Sequence, residues 1–155
     1  MAKSAAVRKQ AATIPYRLTP FGIEILLITV RSGSWGLPKG GIKKNDSPLR
    51  TARIETLEEA GALGRIDRKS LGTFTYRKRG RKQSVEVFGL EVEHLLDRWA
   101  EEENRSRVWV SITEAPSLLG RGAWTPMLTR LRHALLTRSE KIVRQASAHR
   151  LRLVA

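Results

Sequence analysis

At 155 residues and 41% hydrophobic content the chain is long enough to bury a core of its own, and a single main domain is expected. A formal net charge of +14 favours anionic partners such as nucleic acid, nucleotides, polyphosphates or an acidic surface, although a solubilising basic surface would give the same number. The lack of cysteine excludes disulfides and thiolate metal sites, and no apolar run approaches the roughly 18–20 residues that span a bilayer, so a cytoplasmic chain without membrane contact is expected.

Residues 1–10 hold basic residues without an apolar segment, which predicts a flexible basic arm and not a secretory signal. ATIPYRLT and GIEILLITV read as strands around a turn at Pro20–Phe21–Gly22, and the SGSWGLPKGG that follows breaks regular structure. A helix starts at NDSP, where Asp46 or Ser47 can cap and Pro48 is tolerated in the first turn; Gly61 is its stop. SLGTFTYRK and QSVEVFGLEVE read as strands joined at RGR, and SRVWVSI as another, followed by a short helix at TEAPSLLG. From Trp124 the pattern is helical, with Leu128, Leu131, Leu135 and Ile142 on one face. Strands mixed with helices indicate an α/β or α+β domain.

The chemistry concentrates on the helix that ends at Gly61. Glu55, Glu58 and Glu59 lie three and four residues apart, so all three project from one side near the C-terminus, where the helix dipole disfavours carboxylates. Something positive must compensate: either arginines beside a solvated acidic face, or a divalent cation. Mg²⁺ takes hard oxygen ligands, commonly carboxylates together with waters and substrate phosphates. The glycine-rich turn before the helix could add the Gly40 carbonyl and admit a phosphate chain, with Lys39 as a point charge beside it.

In these residues the chain resembles the Nudix hydrolases, whose signature runs Gly, five residues, Glu, seven residues, then Arg-Glu-U-x-Glu-Glu-x-Gly-U, U being bulky and apolar. Gly40, Glu55, Glu58, Glu59 and Gly61 match, and LPKG before them is also typical; Asp46 stands at the first glutamate position and Ile54 at the arginine position. Beyond the signature, RKRGRKQSVEVFGLEVE and RWAEEENRSRVWVSITEAPSLL are similar to the diphosphoinositol polyphosphate and diadenosine polyphosphate branch. The resemblance covers roughly residues 11–138 and leaves 139–155 as a basic helical extension.

What the resemblance implies is an α/β/α sandwich with a mixed sheet and a loop–helix–loop motif, and Mg²⁺-dependent (or Mn²⁺-dependent) hydrolysis of a phosphoanhydride. Glu55, Glu58 and Glu59 would hold the metal with the Gly40 carbonyl, one of them serving as base. The chain offers no competing nucleophile: it lacks cysteine, and His94, His133 and His149 are scattered through unlike contexts. Glu101–Glu102–Glu103 reads as solvated loop charge, and Trp35 as a core residue that seats the loop.

With Ile54 in place of arginine, Arg50 lies one turn earlier on the same stripe and is expected to reach the carboxylates, whereas Arg53 points elsewhere. Arg77, Lys78, Arg79, Arg81 and Lys82, five basic residues in six, form a hairpin tip that either stays solvated or clamps a long anionic substrate; Arg17 is a weaker candidate. Dinucleoside polyphosphates or diphosphoinositol polyphosphates are the expected substrates. An RNA 5′-pyrophosphohydrolase of the same fold is the alternative, as is a nucleotide- or RNA-binding module that has lost turnover; oligomeric state stays open.

Overall fold

Alternation along the longest buried run sets the layers. The computed structural model describes residues 5–120 and 122–154. In β1 (Arg8–Thr19), Ala12, Ile14 and Tyr16 point to one face of the sheet and join the main core. Ala11 points to the other face, where it packs with Ala52 and Phe88, and the Thr13 hydroxyl hydrogen-bonds that of Thr56 there.

The sheet is mixed. β1 runs parallel to β7 (Arg81–Leu95) on one side. On its other side it pairs antiparallel with β2 (Gly22–Thr29) near one end and with β4 (Lys39–Gly41) near the other. β3 (Trp35–Gly36) and β8 (Arg107–Ser111) add to β2, while β5 (Ala62–Ile66) and β6 (Gly72–Lys78) add to β7. The turn between β6 and β7 puts Arg79 and Gly80 at φ 49° and 73°, the left-handed pair that two-residue hairpins favour.

Helices cover both faces. α1 (Pro48–Ala60) lies over Ala11 and Thr13; α2 (Ala115–Leu119) and α3 (Trp124–Val154) cover the opposite face, where Trp124, Met127, Leu128, Leu131 and Leu135 are buried. This is the expected α/β/α sandwich. None of the described helices is long and apolar enough to cross a membrane.

Several expectations change. Residues 1–4 of the expected arm lie outside the described residues, but Arg8, Lys9 and Gln10 are strand, paired with Gln83, Ser84 and Val85. Ile142 continues the apolar stripe of α3 in spacing yet is 66% exposed, because the sheet ends beneath Leu135 and the helix runs on past it. β5 is an added strand: ALGRI after the Gly61 stop has no clean alternation and reads as loop.

Candidate active site

Local rules fix the orientation of α1. The Ser47 hydroxyl accepts from the Arg50 N–H at 3.1 Å, Pro48 occupies the first turn, and Gly61 ends the helix at φ 61°, its N–H donating to the Leu57 carbonyl at 3.0 Å. The helix then presents Glu59 buried, Glu55 half-buried and Glu58 exposed. From the far side, the Trp99 indole N–H donates to the Glu59 carbonyl at 3.1 Å and Arg107 donates to the Ala60 carbonyl at 2.9 Å, so the last turn is held from outside the helix.

Gly40 meets Glu55 directly. A Cβ on Gly40 would sit 2.2 Å from the Glu55 carboxyl carbon, so only glycine lets the strand and the carboxylate approach this closely. Gly40 lies opposite Ala11, between the Thr13–Pro38 and Ile42–Lys9 backbone bonds, which assigns its own polar groups to the ladder. The carbonyl keeps a second lone pair.

Burial pushes the Glu59 carboxyl up to about 8; the Arg105 guanidinium pulls the other way, and the Glu55 and Glu101 carboxylates add to the rise. Burial also raises Glu55, with Glu58 adding to it, while a hydrogen bond from Glu59 opposes it. Two neighbouring carboxyl groups whose charged forms are disfavoured by burial form an arrangement that a divalent cation would relieve. Among the described residues no three acidic or imidazole side chains converge tightly enough to form a ready-made cage. An ion held by these carboxylates would complete its shell with waters and substrate oxygens, as hard ions do.

Glu55 forms part of the wall of a cavity of about 610 Å³ whose other lining residues include Arg8, Lys9, Lys43 and Arg81. Four basic residues and one glutamate line this cleft, a lining whose charge suits a polyanion. Arg8, Lys9 and Lys43 were not legible as cleft residues, because the pairing of residues 8–10 with β7 and of β4 with β1 is what brings them here. Of the basic hairpin, Arg81 alone reaches the cleft wall, its Nε donating to the Ala6 carbonyl at 3.0 Å. Arg77 donates to the Gly80 carbonyl, and Lys78, Arg79 and Lys82 are exposed at the tip. The register sets Arg77 opposite Lys82 and Lys78 opposite Arg81, like charges whose repulsion an anion would lift.

Other candidates lie elsewhere. Lys39 donates to the Tyr76 hydroxyl at 3.2 Å, and that hydroxyl donates to Gln10. Arg17 pairs with Glu24 at 2.7 Å and stacks over Trp109. Arg50 does not reach the glutamates: it is bound to Asp46 at 3.0 Å at the start of α1, and its side chain is 69% exposed. Ile54 lines an apolar groove with Leu57, Leu63 and Leu90. His94, His133 and His149 are exposed, and Trp35 packs against the main core.

Arg105 and Glu101 are the residues that the sequence concealed. Glu101 reads as loop charge, yet its N–H donates to the Glu58 carbonyl at 3.1 Å and its carboxylate faces Arg105 at 3.2 Å. Arg105 also stands 3.6 Å from the Glu59 carboxylate.

Comparison with known proteins gives the family and the fold. Residues 8–130 match the NUDIX domain family. Nudix hydrolase 21, chloroplastic, of Arabidopsis thaliana is 36% identical over 122 residues, 74% of this chain and 61% of that one. Diphosphoinositol polyphosphate phosphohydrolase 2 of Rattus norvegicus is 31% identical over 116 residues, 72% of this chain and 63% of that one. This chain thus spans somewhat under two thirds of the length of these relatives. Among solved structures, the Ap4A hydrolase of C. elegans superposes with a TM-score of 0.71 at 23% identity, covering 84% of this chain and 99% of that one, a likeness of fold.

Proposed function

This chain belongs to the Nudix domain family, and from that premise we propose that it hydrolyses a phosphoanhydride bond in a nucleoside- or inositol-linked polyphosphate, in the manner of a dinucleoside polyphosphate or diphosphoinositol polyphosphate hydrolase. The observation that carries this reading is Glu55, with Glu59 behind it, on the wall of a cleft lined also by Arg8, Lys9, Lys43 and Arg81. Acid on one wall and base on the others is what metal-assisted attack on a phosphate chain requires.

Glu55, Glu58 and Glu59 would hold Mg²⁺ or Mn²⁺, with the Gly40 carbonyl as a further ligand. When bound, the ion supplies charge neutralisation on the phosphate chain and a water acidified enough to attack phosphorus. The rest falls to the chain's own groups. Arg8, Lys9, Lys43 and Arg81 grip phosphate oxygens and align the scissile bond. A carboxylate oxygen takes the proton of the attacking water; Glu55, the one of the three that faces the cleft, is best situated for it. The exposed tip of Lys78, Arg79 and Lys82 extends the positive field for the remaining phosphates. A cytoplasmic site of action belongs to the same reading, supported by the cysteine-free sequence.

The test is a panel of diadenosine polyphosphates, inositol pyrophosphates, nucleoside di- and triphosphates and triphosphorylated RNA, assayed with Mg²⁺ and with chelator. Release of phosphate or nucleotide from the first two classes, lost in chelator and in Glu58→Gln, is expected. Preference for RNA with steep salt dependence would move the substrate to RNA. Binding without cleavage under any divalent ion would make the chain a recognition module.

A further inference from the structure

The helix that bears the three glutamates offers them no cation of its own. Ile54 stands where the family signature has arginine, and its side chain is taken up by the apolar groove beside Leu57, Leu63 and Leu90. The nearest helical substitute, Arg50, is committed to Asp46. A buried carboxylate with no cation would be costly, and Glu59 is the most buried of the three.

The compensation comes from another part of the chain. Among the described residues, Arg105 is the one basic side chain that ion-pairs a glutamate of α1. It enters from the segment that leads into β8 and is itself 13% exposed. Three groups fix its guanidinium: Nη1 donates to the Thr29 carbonyl at 2.8 Å, Nε and Nη2 donate to Glu101 Oε1 at 3.3 and 3.2 Å, and Nη2 faces Glu59 Oε1 at 3.6 Å. The backbone of Glu101 is tied in turn to the end of α1 through the Glu58 carbonyl. A guanidinium anchored on β2 and on Glu101 cannot swing away, so its planar fork dictates where the Glu59 carboxylate rests.

We propose that Arg105, oriented by Glu101, is the positioning residue for Glu59 and supplies from the β8 side the cation that α1 does not. Its role in turnover rests on the hydrolase reading; its coupling to Glu59 does not. Exposed ion pairs contribute little, but a cation that sets the angle of a buried carboxylate acts through geometry.

The experiment uses the full chain as wild type, Arg105→Ala, Arg105→Lys, Glu59→Gln and the Arg105→Ala/Glu59→Gln double variant. Thermal melts without metal, at a pH above about 8 so that Glu59 is ionised, form a double-mutant cycle. Arg105→Ala should lower Tm by several degrees in the wild type and by about half as much or less once Glu59 is neutral, since no buried charge is then left unpaired. Additive losses overturn the pairing. In turnover, Arg105→Ala should lower kcat about 10–100-fold while KM stays within about twofold, and Arg105→Lys should recover part of the loss. An unchanged kcat in Arg105→Ala beside a dead Glu59→Gln overturns the positioning role. Full turnover in Glu59→Gln overturns the positioning role; if the wild type has no turnover, the hydrolase reading falls, and the melting cycle still judges the Arg105–Glu59 pair by itself.

Discussion

The two helical layers of this molecule obey opposite priorities. Under α3 the sheet meets Trp124, Leu128, Leu131 and Leu135, an apolar stripe at helical spacing with every large side chain buried. Under α1 the buried residues are Thr51, Ala52, Thr56, Glu59 and Ala60, small or polar groups, with Thr56 bonded to Thr13 and Glu59 facing Arg105. The Thr56 hydroxyl even bonds back to the Ala52 carbonyl at 2.7 Å. One layer is built for cohesion and the other for holding carboxylates at an apolar boundary. Stability and chemistry should therefore separate when each is perturbed.

The largest separation is expected from Glu55→Gln. It keeps the shape against Gly40 but removes the charge, so turnover should fall about 10²–10⁴-fold. Burial already disfavours that charge, so the melting temperature should hold or rise. Steady-state kinetics and a thermal melt on one sample measure both. Leu131→Ala is the converse: Leu131 is 0% exposed in the α3 stripe, and truncation should cost about 2–5 kcal/mol in denaturant unfolding. Its kcat at low temperature should match the wild type.

Gly40→Ala sharpens the comparison from the strand side. The added methyl would fall within 2.6 Å of all three Glu55 carboxyl atoms, so the side chain must swing off the strand. A displacement of this size should lower kcat roughly 10²-fold, with a smaller effect on stability. At the small end, Ile142→Ser on the exposed part of α3 should change unfolding free energy by less than about 0.5 kcal/mol. A cost of several kcal/mol there would mean that the apolar stripe past Leu135 is covered after all.

Local signals made α1 legible in the sequence: Ser47 and Pro48 at one end, Gly61 at the other, and a ridge of glutamates between them. They also gave the long strands and the start of α3. What local pattern could not show is pairing between distant segments. Arg8 and Lys9 reach the cleft because β1 runs parallel to β7, a contact between segments more than seventy residues apart. Arg105 and Glu101 reach α1 by the same kind of long-range closure. Arg50, the helical neighbour that spacing favoured, was taken by Asp46, one turn nearer the helix start. Spacing shows which side chains share a face, but it cannot show which partner claims each of them.

The decisive measurement is anomalous scattering from crystals soaked in Mn²⁺. A peak about 2.0–2.3 Å from carboxylate oxygens of Glu55 and Glu59, beside Glu58 and Gly40, is what this account requires. Crystals that bind no ion there, with Glu59 still facing Arg105 alone, would contradict it.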